Sequence, residues 1–205
     1  EFLDLISPQY VSDLVCWGAI GARTAESQVH RELTSGLSCP MGIKNSTKGD
    51  IQKTIDAIKS AQYQHVFLGT TKKGKVAIFK TSGNDDTHII LRGGLEPNYH
   101  ASDIENCRAD LEKNEVNANI MVDFSHGNSQ KNHENQKKVS ASICDQIASG
   151  NKDIIGVMIE SHLKEGNQKI SENMEYGKSI TDACVDWEET KKLLNDLAQA
   201  VKARR

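Results

Sequence analysis

Short apolar runs rich in β-branched residues alternate with amphipathic stretches along nearly the whole chain, and almost every run stops at a polar or charged residue. That alternation is the signature of parallel β/α repeats, where each strand is buried on both faces and the intervening helix covers it. Strands are expected over residues 2–6, 17–22, 39–43, 88–91, 119–124 and 154–159. Helices are expected over 24–33, 49–62, 102–114, 134–148 and 187–205, with a short helical piece from Ser7-Pro8, where serine caps and proline suits the first turn. Ile51, Ile55, Ile58 and Ala61 recur at helical spacing, giving one buried stripe. Gly36 is placed to close the first helix and Gly150 the fourth. One insertion breaks the rhythm: residues 65–70 and 75–81 flank Lys72-Lys73-Gly74 and read as a β-hairpin. No linker or low-complexity tract interrupts the pattern, so residues 1–205 are expected to form one domain.

Composition narrows the function. The 205 residues fall short of the roughly 250 that a closed (β/α)₈ barrel normally takes. Lys+Arg 25 against Asp+Glu 28 gives a net charge of −3, so no global field favours nucleic acid or an anionic membrane as partner, and any anion site must be local. The longest apolar runs are strand-length, far below the roughly 20 residues of a membrane span. The first residues lack an initiator Met and the features of a signal or transit peptide. Five cysteines, an odd number without a Cys-x-x-Cys pair, argue against a disulfide scaffold and for a reducing cytoplasm. Cys39, Cys107 and Cys144 read as core packing.

The strand ends carry the chemistry. The first charged group past each run is Asp4, Arg23, Lys44, Arg92, His126 or Glu160, spaced at about one β/α repeat except where the hairpin lengthens the interval between Lys44 and Arg92. In a β/α barrel the C-terminal strand ends share one face, where the active site is built. One such charge is as readily a solvated strand end as a functional group; six in succession are far harder to dismiss. Arg23, Lys44 and Arg92 gathered in a concave site repel one another unless an anion joins them, and phosphate, or a molecule bearing phosphate and carboxylate, is the natural one. Gly21-Ala22 and Gly93-Gly94 beside them let backbone N–H groups approach the same ligand. His126, Glu160 and Asp182 form a reasonable ligand set for Mn, Fe, Co or Zn; a catalytic histidine with ion-paired acids fits the spacing equally well. His162, two residues past Glu160, falls near the same side.

These residues also stand in longer motifs. Gly18-Ala-Ile-Gly-Ala-Arg-Thr24, Gly42-Ile-Lys-Asn45, Ile89-Ile-Leu-Arg-Gly-Gly94, Asp123-Phe-Ser-His126, Gly156-Val-Met-Ile-Glu160 and Tyr176-Gly-Lys-Ser-Ile-Thr-Asp182-Ala-Cys184 occur in one order along the chain. In this set and order the sequence resembles the type I 3-deoxy-D-arabino-heptulosonate 7-phosphate (DAHP) synthases from Glu1 to Arg205. The resemblance implies a TIM (β/α)₈ barrel with an inserted β-hairpin, the condensation of phosphoenolpyruvate with erythrose 4-phosphate, and the first step of the shikimate pathway.

It further implies that Glu1, Ala22, Arg23, Lys44 and Arg92 bind phosphoenolpyruvate, and that His126, Glu160 and Asp182 are three of four ligands to a divalent metal. Lys44 is a candidate proton donor and a water held by His126 or Glu160 a candidate acceptor, the two roles being left open by the sequence. An aromatic amino acid effector is expected at Pro8, Gln9, Leu33, Leu37, Ser38, Phe67, Gly69 and Phe79, although ordinary core is a strong alternative for the apolar members. The family's Gly-Pro-Cys metal motif and Lys-Pro-Arg-Thr aldose-phosphate motif do not occur in this sequence. The expectation is therefore the C-terminal six-eighths of a barrel lacking its first two strands, from a protein that forms a homo-oligomer, dimer or tetramer. A fragment that binds ligands without turnover is the alternative.

Overall fold

The computed structural model describes residues 8–205. The expected strand over 2–6, with Asp4, and the expected ligand residue Glu1 lie outside the described residues. The described residues divide into two compact units, one of residues 8–90 and 107–120, the other of residues 91–106 and 121–205.

In the first unit the strands β1 (Gly18–Ile20), β2 (Met41–Lys44) and β5 (Thr87–Leu91) lie side by side, all parallel, with Ile20 against Ile43 and Ile43 against Ile89. Every residue of these strands is buried, as expected of strands covered on both faces. Helices α1 (Gln28–Ser35) and α2 (Gln52–Gln62) pack together, and the stripe read from the sequence is real, with Ile55, Ile58 and Ala61 fully buried. The Thr54 hydroxyl donates to the Lys44 carbonyl at 3.2 Å, tying α2 to the end of β2. The predicted insertion is an antiparallel pair, β3 (Val66–Thr70) with β4 (Val76–Lys80), and Gly74 takes the left-handed φ of +71° that the tight turn needs.

The largest boundary difference is at the first helix; the second also starts later than expected, at Gln52, leaving Ile51 half-buried just before it. The first helix begins at Gln28, not Thr24, because the Thr24 hydroxyl and N–H both bond back to the Gly21 carbonyl and close a turn. A threonine that satisfies a local turn offers the helix no cap. Gly36 does close the helix, in a right-handed conformation of φ −103°.

The second unit holds β6 (Ile120–Asp123) beside β7 (Ile154–Met158), with the helices α4 (Gln136–Ala148) and α5 (Trp187–Arg204) packed on each other. The first turns of α3 (Ala101–Lys113) also belong to it. Asp186 caps α5 through a 2.7 Å bond from the Glu189 N–H, while Glu188 and Glu189 at its start and Lys202 and Arg204 at its end oppose the helix dipole. Residues 161–185 fold back by isolated bridges, Ser161 with Val185, Gly166 with Cys184 and Asn167 with Ser179. That return brings Asp182 close to the end of β7. Among the described residues no helix is long and apolar enough to cross a membrane.

Candidate metal centre and effector cavity

His126 follows β6 with a left-handed φ of +54°, a conformation uncommon outside glycine. The turn is over-determined: its carbonyl accepts the Lys131 N–H at 2.8 Å, and the Ser125 carbonyl accepts Asn128 N–H at 3.1 Å. On one side of the ring, Nδ1 lies 2.7 Å from Ser125 Oγ and 3.0 Å from Asp123 Oδ2. Ser125 Oγ in turn donates to Asp123 Oδ1 at 2.7 Å, and the Ser125 N–H donates to the same oxygen at 2.9 Å. With its proton spent on Asp123, the serine oxygen is an acceptor. Both neighbours of Nδ1 therefore accept, which puts the proton of the neutral ring on Nδ1 and leaves the Nε2 lone pair facing outward. Asp123, 1% exposed, is the fixed base of this arrangement.

Nε2 faces the carboxylates. It stands 3.5 Å from Glu160 Oε1 and 4.0 Å from Asp182 Oδ2, and the three donor atoms lie within 4.8 Å of one another. Two carboxylates and an imidazole lone pair converging this closely repel unless a proton or cation sits among them. The donor set suits a borderline divalent ion, and a carboxylate behind the imidazole is the usual support for a metal-binding histidine. Cys184 lies close by. Burial, then the Glu160 carboxylate, push its thiol above the ordinary range, so it is a neutral thiol whose sulfur donates weakly to the Asp182 carbonyl at 3.6 Å.

His162 does not join the cluster: it is exposed, and its Nδ1 accepts the Leu163 N–H at 2.8 Å. A second group, His133, Glu134 and Glu165, also converges, but Lys137 Nζ already holds the Glu134 carboxylate at 2.8 Å.

Arg92 and Lys44 are both buried at strand ends, which for a cation demands acceptors or a counter-charge. The Arg92 carbonyl accepts the Gly127 and Asn128 N–H groups, so the residue is tied to the loop that follows His126. Gly93 has to be glycine there, since its φ is +73° and a Cβ would meet Asn128 N at 2.4 Å. Arg23 is exposed and Ala22 half-buried, in the turn that Thr24 closes.

A separate cavity of about 560 Å³ lies within the first unit. Pro8, Gln9, Leu33, Leu37, Phe67, Gly69 and Phe79 all line it, so seven of the eight residues expected to hold an effector converge there. Ser38 is exposed and is not among the lining residues. Phe67 and Phe79 stack with centroids 5.9 Å apart, and a Cβ on Gly69 would meet the Phe79 ring at 2.9 Å. Of the presumed core cysteines, Cys39 and Cys107 are buried and Cys144 half-buried.

Fold and strand-end chemistry together define part of an α/β barrel of the TIM class with an inserted hairpin. The chain belongs to the DAHP synthetase I family, whose model matches residues 1–195. It is 60% identical over its whole length to a Phe-sensitive phospho-2-dehydro-3-deoxyheptonate aldolase of Escherichia coli K12, of which it covers 59%. It is 55% identical to a tyrosine-inhibited one of Schizosaccharomyces pombe, of which it covers 57%. A solved phospho-2-dehydro-3-deoxyheptonate aldolase from Francisella tularensis superposes with a TM-score of 0.93 at 56% identity, over 97% of this chain and 58% of the other. The chain thus spans somewhat under three-fifths of the length of these relatives.

Proposed function

We propose that the chain is the metal- and phosphoenolpyruvate-binding portion of a DAHP synthase, joining phosphoenolpyruvate to erythrose 4-phosphate with release of phosphate. The observation that carries this reading is 60% identity along the whole chain to a curated member of the family. The convergence of His126, Glu160 and Asp182 supports it independently.

His126, Glu160 and Asp182 would hold a divalent ion, Mn, Fe, Co or Zn. When bound, it supplies Lewis-acid polarisation of the aldehyde carbonyl. Arg92, Lys44 and Arg23, with the Ala22 backbone, take the phosphate and carboxylate of phosphoenolpyruvate and hold its C3 toward the aldehyde, while by the family resemblance Glu1 falls at a position near the same phosphate. C3 bonds to the aldehyde carbon, water adds at C2, and the C2–O bond to phosphate breaks. The Lys44 ammonium gives the proton that the former aldehyde oxygen takes up. A water held at Glu160 accepts the proton lost by the attacking water, and the C2 hydroxyl proton leaves with the phosphate as the ketone forms; His126, whose Nδ1 side is held by Asp123 and Ser125, keeps Nε2 for the metal. Spreading the cations around the enolpyruvate stabilises the negative charge that develops as the new bond forms.

The cavity beside the hairpin takes an aromatic amino acid as feedback inhibitor, the stacked Phe67 and Phe79 offering a flat apolar wall for its ring. The protein works in the cytoplasm as a homo-oligomer. One observation favours a second reading, that the chain covers under two-thirds of its relatives: on it, these 205 residues bind ligands without turning over. Phosphate release from phosphoenolpyruvate, dependent on erythrose 4-phosphate and abolished by a chelator, is the result the first reading requires of an assay; from these 205 residues alone, without the Gly-Pro-Cys and Lys-Pro-Arg-Thr motifs, binding without release is expected. Metal and phosphoenolpyruvate binding without phosphate release would favour the second reading, and binding of neither would remove both.

A further inference from the structure

Gln136 opens α4 and is wholly buried, 0% exposed. Its amide nitrogen donates to the Glu160 carbonyl at 3.0 Å, and its amide oxygen accepts the Glu160 N–H at 3.0 Å. The pairing fixes the orientation of the amide, because only the oxygen can meet an N–H and only the nitrogen a carbonyl. Gln136 thus does for Glu160 what a neighbouring strand does for a ladder residue, at a point two residues beyond the end of β7. The same Glu160 carbonyl also accepts the Val185 N–H at 3.0 Å, from the segment that carries Asp182. Neither Gln136 bond uses the Glu160 carboxylate.

For packing alone, an aliphatic side chain would serve at this position, as Val139, Ile143 and Ile147 do further along the same helix. A buried primary amide is costly unless both its ends are satisfied. Here both ends are satisfied by one residue, and that residue's carboxylate stands 3.5 Å from His126 Nε2. We propose that Gln136 is a positioning residue for the metal-binding carboxylate of Glu160. Pinning the backbone on both sides fixes the origin and direction of the glutamate side chain, so less conformational freedom is lost when its oxygen meets a cation. The inference rests on the reading of His126, Glu160 and Asp182 as metal ligands.

The test is calorimetric titration of Mn²⁺ into the metal-free protein. Gln136→Met keeps the volume and removes both bonds, and is expected to weaken Mn²⁺ binding about 10–100-fold. Glu160→Gln is expected to weaken it as well, and combining the two is expected to add nothing to the loss from Glu160→Gln, because one residue acts through the other. Additive losses in the double variant would overturn the positioning role and leave a merely structural one. Full Mn²⁺ affinity in Gln136→Met, with a loss in Glu160→Gln, would also overturn it while leaving the metal reading standing. Full affinity in Glu160→Gln would overturn the metal reading itself. Gln136→Asn, an amide one methylene too short to span both groups, is titrated in parallel, so a folding failure in one variant leaves the other to decide.

Discussion

The carboxylate cluster of the second unit and the cavity of the first are opposite solutions to making a site. The cluster is polar at its surface and rigid behind it: Asp182 is 67% exposed on its side chain, yet His126 and Glu160 are backed by the buried Asp123 and Gln136. The cavity is largely apolar at its surface, and the hairpin that walls it turns Val66, Leu68, Val76 and Ile78 outward to solvent. Charges placed close together need buried hydrogen-bonded supports to stay there, whereas an apolar wall gains by filling space with any ring of suitable shape. The cluster should therefore fail sharply when single groups are changed and the cavity gradually.

The largest expected effect is at the cluster. His126→Ala removes the only imidazole donor of the three, and should reduce divalent-metal affinity by more than about 100-fold, since even residues behind a ligand typically cost 10–100-fold. Metal content by mass spectrometry after dialysis checks it; a stoichiometric metal complex in the variant would make His126 a purely catalytic base. Next comes Arg92→Ala. If the buried Arg92 guanidinium grips phosphate as proposed, its removal should weaken phosphoenolpyruvate by about 2–3 kcal/mol in calorimetry, and unchanged affinity would take Arg92 out of the site. In the cavity, Phe67→Ala loses one stacked ring and should weaken aromatic amino acid binding by about 1 kcal/mol, roughly fivefold, with metal affinity untouched. A loss as steep as that expected of His126→Ala would break the contrast between the two sites.

The two sites were also unequally legible. Charges at strand ends are visible in sequence because burial of both strand faces pushes polarity to the termini, so Arg92, His126 and Glu160 stood out one repeat apart. Asp182 stood out less, since it lies in an irregular loop whose return depends on the Ser161–Val185 and Gly166–Cys184 bridges. Gln136 was illegible: at the head of an amphipathic helix a glutamine reads as surface, and only its two bonds to Glu160 show otherwise. Asp123 and Ser125 were visible inside a motif, but not their grip on Nδ1. The effector residues came from the family resemblance; nothing in the spacing of Pro8, Leu33, Phe67 and Phe79 says that they share a cavity. Thr24 misled in the opposite direction, a good cap by type that the chain uses in a turn.

The smallest expected effect sharpens the contrast between two histidines. His126 presents Nε2 to carboxylates, whereas His88, in the middle of the buried β5, spends Nε2 accepting the Trp17 indole N–H at 3.1 Å. Burial holds His88 below its ordinary pKa of 6.5, with a backbone bond at Asp86 opposing. As pH falls below about 6.5, the unfolded chain takes up this proton before the folded one does, so stability falls through that window and is unaffected by this group above it. One proton contributes at most about 1.4 kcal/mol per pH unit. Urea midpoints compared at pH 7.5 and at points below 6.5 should show the loss in the wild type and a flatter profile in His88→Gln, whose side-chain oxygen still accepts from Trp17. Equal slopes in the two proteins would mean that the acid sensitivity of the fold lies elsewhere, and that His88 is protonated as readily inside the first unit as outside it.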